Sequence, residues 1–196
     1  MRALMRLSRS SAAARTGRRT LPVIVLALLA VALVGCQGSA SSPVPSAAPG
    51  GAATPGPNAL NVVTTTTVFA DIVQNIGGSR VAATSILPPG VGPEDYEPKP
   101  DDAKRLADAK LIVSNGVGLD DFLDGLLASG TGGQTPHLVL GDGIPVLTVN
   151  GEENPHFWLD PTLVKQYYLP AIASKLAELD PGGNATFDAN VASYGA

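Results

Sequence analysis

The stretch Leu60-Asn-Val-Val-Thr-Thr-Thr-Thr-Val-Phe-Ala-Asp-Ile-Val-Gln-Asn-Ile-Gly-Gly78 changes its period part-way along. Leu60 to Thr66 is β-branched and compact, the composition of a buried strand. Beyond it, Val68, Phe69, Ile72, Val73 and Ile76 form a helical stripe that Gly77-Gly78 stops. A strand running straight into a helix is half of a βαβ unit, and the rest of the chain repeats the alternation. Val81 to Leu87 reads as a second strand, closed by Pro88-Pro89-Gly90. Asp101 to Ala109 reads as a helix with Asp101 and Asp102 in its first turn, where negative charge suits the dipole. Leu111 to Ser114 is a third strand and Leu119 to Leu127 another helix. His137 to Leu140 and Val146 to Val149 form a fourth strand or a pair, with Gly141-Asp-Gly143 turning between them. A helix over Pro161 to Leu179 ends at Asp180-Pro-Gly-Gly, and a further helix opens at Asn184 and runs to Tyr194. The predicted fold is α/β, a mostly parallel four-stranded sheet flanked by helices. Functional loops are then expected outside the carboxyl ends of the strands, at 88–100 and 149–161.

Everything before residue 60 has a different character. Six of the 13 basic residues precede position 20, and no acidic residue appears before Asp71. The apolar run from Leu21 to Val34 would span about 21 Å as a helix, short of a hydrocarbon core of roughly 30 Å. That length suits the core of a signal peptide. Leu33-Val34-Gly35-Cys36 places small residues directly before the single cysteine, an arrangement that resembles the lipobox of bacterial lipoproteins. Residues 1–35 are therefore read as a signal peptide, with Arg18-Arg19 a weak twin-arginine signal, and Cys36 as the lipidated N-terminus of the mature protein. Residues 36–59 consist almost wholly of Ser, Ala, Pro and Gly, so they cannot bury a core and are expected to tether the domain to a membrane.

From Asp71 onward, 7 basic residues face 17 acidic ones, a formal charge of −10. That balance argues against a nucleic-acid partner and is compatible with cationic ligands. One cysteine excludes an internal disulfide framework and a Cys-rich zinc site. No Gly-x-Ser-x-Gly elbow is present, and Gly90-x-Gly92 lacks both the third glycine and the following helix of a phosphate loop. The chain is therefore not read as an enzyme. Of its two histidines, His137 sits at a strand edge and reads as structural. His156 sits in Glu152-Glu-Asn-Pro-His-Phe-Trp-Leu-Asp-Pro161, a loop stiffened by proline on both sides and suited to presenting a ligand. The loop Pro88 to Pro100 concentrates Pro and Gly around Glu94, Asp95 and Glu97, which can offer hard oxygen ligands.

Four segments in order carry a resemblance: Thr64 to Gly78, Pro88-Pro-Gly90 with Tyr96-Glu-Pro-Lys-Pro100, Asp108 to Leu119, and Pro155-His-Phe-Trp-Leu-Asp-Pro161. Together they resemble the zinc- and manganese-binding solute-binding proteins of bacterial ABC transporters, the cluster A-I or TroA-like family. The resemblance implies two lobes joined by a long helix, with one divalent transition metal held between them. It also implies two histidines from the first lobe and a His or Glu with an Asp from the second. His156 matches the second histidine of the first lobe. The residue expected to be the first, two before the tyrosine, is Glu94. Glu94 is either a substituted ligand or the mark of a lost one, and the intact loop around it favours a ligand. Asp95 is the nearest rival. Asp160 is expected to support the ligand shell or cap the following helix, and Trp158 to pack.

On this reading residues 60–180 form the first lobe and residues 181–196 the start of the interlobe helix, with the second lobe not represented. The function implied is lipid-anchored extracytoplasmic capture of Zn²⁺ or Mn²⁺ for an ABC permease, in an apparently truncated form. The alternative is a tethered adhesin that binds no metal. A metal-dependent hydrolase would need an acid or base that no residue supplies.

Overall fold

Strand β1 (Leu60–Thr64) lies inside a sheet of four parallel strands, between β2 (Val81–Ser85) and β3 (Leu111–Ser114), with β4 (His137–Val139) beyond β3. The computed structural model describes residues 53–128 and 134–196. The predicted leader, Cys36 and the tether as far as residue 52 lie outside the described residues. The last residues of the predicted tether already touch the domain: the Gly56 N–H donates to Ser79 O at 2.8 Å, and the Gln74 amide to Ala53 O at 3.2 Å.

Helix α1 (Thr67–Gly77) starts where Thr66 accepts the Phe69 N–H on its hydroxyl, and it buries Phe69, Ile72, Val73 and Ile76. It crosses from β1 to β2 on one face of the sheet. Helix α2 (Pro100–Asp108) leads from β2 into β3, which pairs with the opposite side of β1. The strands alternate accordingly. Val62, Leu111 and Val113 pack into one core with Phe69, Ile72 and Val73, while Val63 and Ile112 pack into the other with Leu106 and Leu123. Helix α3 (Asp121–Ala128) completes that second face. Because the connections from β1 diverge to its two sides, the gap between the carboxyl ends of β1 and β3 is a topological switch point, where α/β sheets gather ligand loops.

The expected fourth strand or pair resolves into two elements. His137–Val139 alone joins the main sheet; Thr148–Val149 (β5) instead pairs antiparallel with Glu152–Glu153 (β6), a partner the alternating pattern does not reveal. The turn of this small hairpin carries Asn150 at φ 55° and Gly151 at φ 90°, left-handed conformations that Asn and Gly tolerate best. Its two-residue strands are too short to show a period.

The helix predicted over 161–179 is one helix with a wide turn in it. Helix α4 (Pro161–Leu163) passes through a π turn (Val164–Tyr168) into α5 (Leu169–Leu179), and the Leu169 N–H bonds Val164 O. Pro170 explains the turn, since proline has no N–H to give and its ring crowds the carbonyl four residues back. A π turn relieves that conflict and rotates Tyr168 into the core, where it is fully buried. Helix α6 (Asn184–Tyr194) folds back on the lobe: Phe187 is buried, and the Asn190 amide donates to Ile76 O at 2.9 Å. Arg80 and Asp180 close this side with paired contacts of 2.6 and 2.7 Å. Among the described residues, no helix is long and apolar enough to cross a membrane.

Candidate metal centre

The first candidate loop leaves β2 and runs to α2. Ile86 and Leu87 bury its start, Gly90 turns at φ 80°, and a 3₁₀ turn over Pro93–Asp95 lifts Glu94 and Asp95 into solvent. Neither carboxylate makes a hydrogen bond or an ion pair among the described residues. The loop is fixed just beyond them by Asp102, whose buried Oδ2 accepts the Tyr96 O–H at 2.6 Å and the Lys99 N–H at 2.8 Å. Arg105 stands 3.6 Å from the other oxygen. Burial, then the bond to Asp102, pushes the Tyr96 hydroxyl up to about 12. Tyr96 also packs edge-on against Phe122, with ring centroids 5.4 Å apart. Glu94 and Asp95 thus project from a rigid support while remaining free themselves.

The second loop presents His156. The Asn154 side-chain oxygen lies 3.0 Å from the His156 N–H and 2.8 Å from Nδ1. An amide oxygen can only accept, so in the neutral ring Nδ1 carries the proton and Nε2 is the nitrogen whose lone pair a metal ion could take. Metal-binding histidines are commonly oriented by such a partner on the other ring nitrogen. Trp158 stacks obliquely on the imidazole at 5.1 Å and packs edge-on against Phe69 at 5.5 Å, so the loop is anchored to α1. The Asp160 carboxylate accepts the Thr162 N–H at 2.8 Å and caps α4. His156, Asn154 and Asp160 line one cleft of about 240 Å³, walled by Pro145, Leu147, Leu159 and Leu163. Glu94 and Asp95 do not line it. Among the described residues, no group of three or more His, Cys, Asp or Glu side chains could hold a metal ion.

His137 belongs to β4 and to neither loop. Its Nε2 meets the Ser114 hydroxyl at 2.8 Å, and burial lowers its pKa from 6.5 against the pull of Asp120 and other carboxylates. The ring thus contributes a hydrogen bond between neighbouring strands, the structural role expected of it.

Between the two loops, at the end of β3, Gly116, Val117 and Gly118 take φ values of 81°, 54° and 79°. A β-branched residue in the left-handed region costs on the order of 1–3 kcal/mol. The turn is held by Asp120, whose buried Oδ2 accepts the N–H groups of Asn115 at 2.6 Å and Gly116 at 2.7 Å. Its Oδ1 meets no partner at hydrogen-bond geometry; the Thr65 hydroxyl, itself unpaired, offsets part of the burial that raises the Asp120 pKa. Sequence reasoning missed Asn154, Asp102, Asn115, Asp120 and Tyr168. An Asn two residues before a histidine, with proline between them, was a readable turn signal for Asn154. The others act across 3 to 53 positions, and the longer of these contacts leave no local pattern.

A parallel sheet covered on both faces, with loops at its switch point, is the layout of an α/β binding lobe. Residues 62–196 match the family described as ZnuA, zinc-uptake complex component A periplasmic. The metal ABC transporter substrate-binding lipoprotein ScbA of Streptococcus cristatus is 32% identical over 182 residues, covering 87% of this chain and 55% of that protein. The manganese ABC transporter substrate-binding lipoprotein PsaA of Streptococcus pneumoniae is 32% identical over 145 residues, 69% of this chain and 46% of its own. Among solved structures, a zinc-bound ZnuA deletion mutant superposes with a TM-score of 0.64 at 31% identity, covering 69% of this chain and 53% of that one. A manganese-bound periplasmic metal-binding protein of Candidatus Liberibacter asiaticus gives 0.63 at 27% identity, covering 69% and 52%. The chain belongs to the ZnuA family of zinc-uptake components. It spans about half the length of the relatives it matches.

Proposed function

We propose that this chain supplies one side of the ion site of a lipid-anchored, extracytoplasmic solute-binding protein that captures Zn²⁺ or Mn²⁺ for an ABC permease. The observation that carries this reading is His156, whose Nδ1 is committed to Asn154 while Nε2 stays free at the mouth of the sheet. Glu94 is the second proposed ligand, with Asp95 its alternative. Exchanging imidazole for carboxylate at that position moves the site toward harder ions such as Mn²⁺. Asp160 supports the loop by capping α4 rather than by reaching the ion. Binding here is reversible ligation with no bond made or broken. Selectivity comes from donor type and geometry, and the remaining positions are filled by water or by ligands outside the described residues. The membrane connection is the acyl group proposed at Cys36.

Trp158 is the single tryptophan of the chain and touches the His156 ring. Titration of the full chain with Zn²⁺ or Mn²⁺ is therefore expected to change its emission. Binding to the native state must also raise the melting temperature. Emission and melting that stay flat at millimolar metal would dispose of the proposal.

A further inference from the structure

A hydrogen bond from one buried side chain ties the proposed ligand loop to the end of β3. Asn115 is fully buried at the end of β3, and each of its polar groups is engaged. Its N–H donates to Asp120, and its carbonyl accepts the Gly141 N–H at 2.9 Å. Its Nδ2 donates to Gly116 O at 3.0 Å and, forty residues away, to Pro155 O at 2.9 Å. Its Oδ1 accepts the Tyr168 O–H at 2.5 Å. Two carbonyls on the nitrogen side allow only one orientation of the amide, because a flipped oxygen would face two acceptors. Pro155 immediately precedes His156.

Two unusual local structures converge on this amide. The left-handed turn at Gly116–Gly118 bends the chain back so that Asp120 can reach the N–H groups of Asn115 and Gly116. The π turn before Pro170 brings the Tyr168 hydroxyl inward. Phe69 packs on both Tyr168, at 6.1 Å, and Trp158. Strain of this kind persists only where the surroundings over-determine it.

We propose that Asn115 is the positioning residue of the His156 loop, locked by Tyr168 on one side and by the Asp120-held turn on the other. This rests on His156 being a ligand, but the positioning itself can be read without metal. The test uses the full chain with Tyr168→Phe, Asn115→Ala and, as a control, Asn190→Ala, which removes a side-chain bond on the far side of α1. Amide exchange at His156 and Phe157 and the ¹⁵N signals of the His156 ring are followed in metal-free protein, alongside Zn²⁺ affinity. Tyr168→Phe is expected to speed exchange at least about tenfold, mix the ring tautomers and weaken Zn²⁺ binding by about tenfold, the scale of an outer-shell loss. Asn190→Ala should lower the melting temperature without moving the ring signals. If Asn115→Ala does not fold, Tyr168→Phe carries the test alone. Unchanged exchange and ring signals in Tyr168→Phe would overturn the proposal, as would equal changes in Asn190→Ala. Loss of Zn²⁺ dependence on His156 itself would remove the ligand reading and leave the exchange result to decide the positioning.

Discussion

Glu94 stands two residues before Tyr96, on a turn whose support by Asp102 does not depend on what Glu94 binds. A change of donor at this position should therefore alter ion preference without unfolding the loop. Glu94→His is expected to raise Zn²⁺ affinity relative to Mn²⁺ by about tenfold, since imidazole favours Zn²⁺ over the oxygen-preferring ion; competition titration with both metals measures the ratio. The pair Arg80–Asp180 gives a second residue-scale expectation. The hydrogen bond from Arg80 holds the Asp180 carboxyl below its ordinary 3.8. A depressed carboxylate contributes stability above that ordinary value and loses it as pH falls through the folded one. Thermal melts should accordingly show Asp180→Asn slightly less stable than the parent at pH 7. The gap should close as pH drops below 3.8. The effect is small, because both side chains are partly exposed and screened.

Among the elements, α1 shows most directly how packing sets the site. Phe69 is fully buried and supports Trp158 of the His156 loop. Phe69→Ala should cost about 3–5 kcal/mol in denaturant unfolding, the usual range for an emptied aromatic site. At the other end of α1, a Cβ on Gly77 would overlap the Val81 side chain, where the chain turns directly into β2. Gly77→Ala should destabilise by roughly 1–3 kcal/mol as overpacking does, read from the midpoint of the same transition. The strands and helices around α1 were legible because their apolar spacing follows the faces they bury. Val62 and Val63 part to opposite cores, and Phe69, Ile72 and Ile76 share one stripe. The β5–β6 hairpin and the π turn were not legible. Two-residue strands have no period, and a proline inside a helical pattern marks a conflict without saying how the backbone resolves it.

At the scale of the whole lobe, the sheet order β2-β1-β3-β4 explains why loops distant in sequence meet. Reversal of direction at β1 opens the switch point, and the loop after β3 meets the loop before α4 there through Asn115 and Pro155, while Glu94 and Asp95 stand outside the His156 cleft. The candidate ligands His156 and Glu94 could be named from their loops, because proline-rich turns and a histidine are local features. What holds them could not, because Asn115 reaches Pro155 across 40 positions and Tyr168 reaches Asn115 across 53. His156 and Glu94 are proposed to hold a divalent transition metal from one side. Isothermal titration of the full chain with Zn²⁺ and with Mn²⁺, repeated on His156→Ala and Glu94→Ala, tests this proposal most directly. Saturable binding that weakens at least about tenfold in each variant is expected, the loss of one of two ligands costing no less than an outer-shell change. Affinity unchanged in both variants would contradict it.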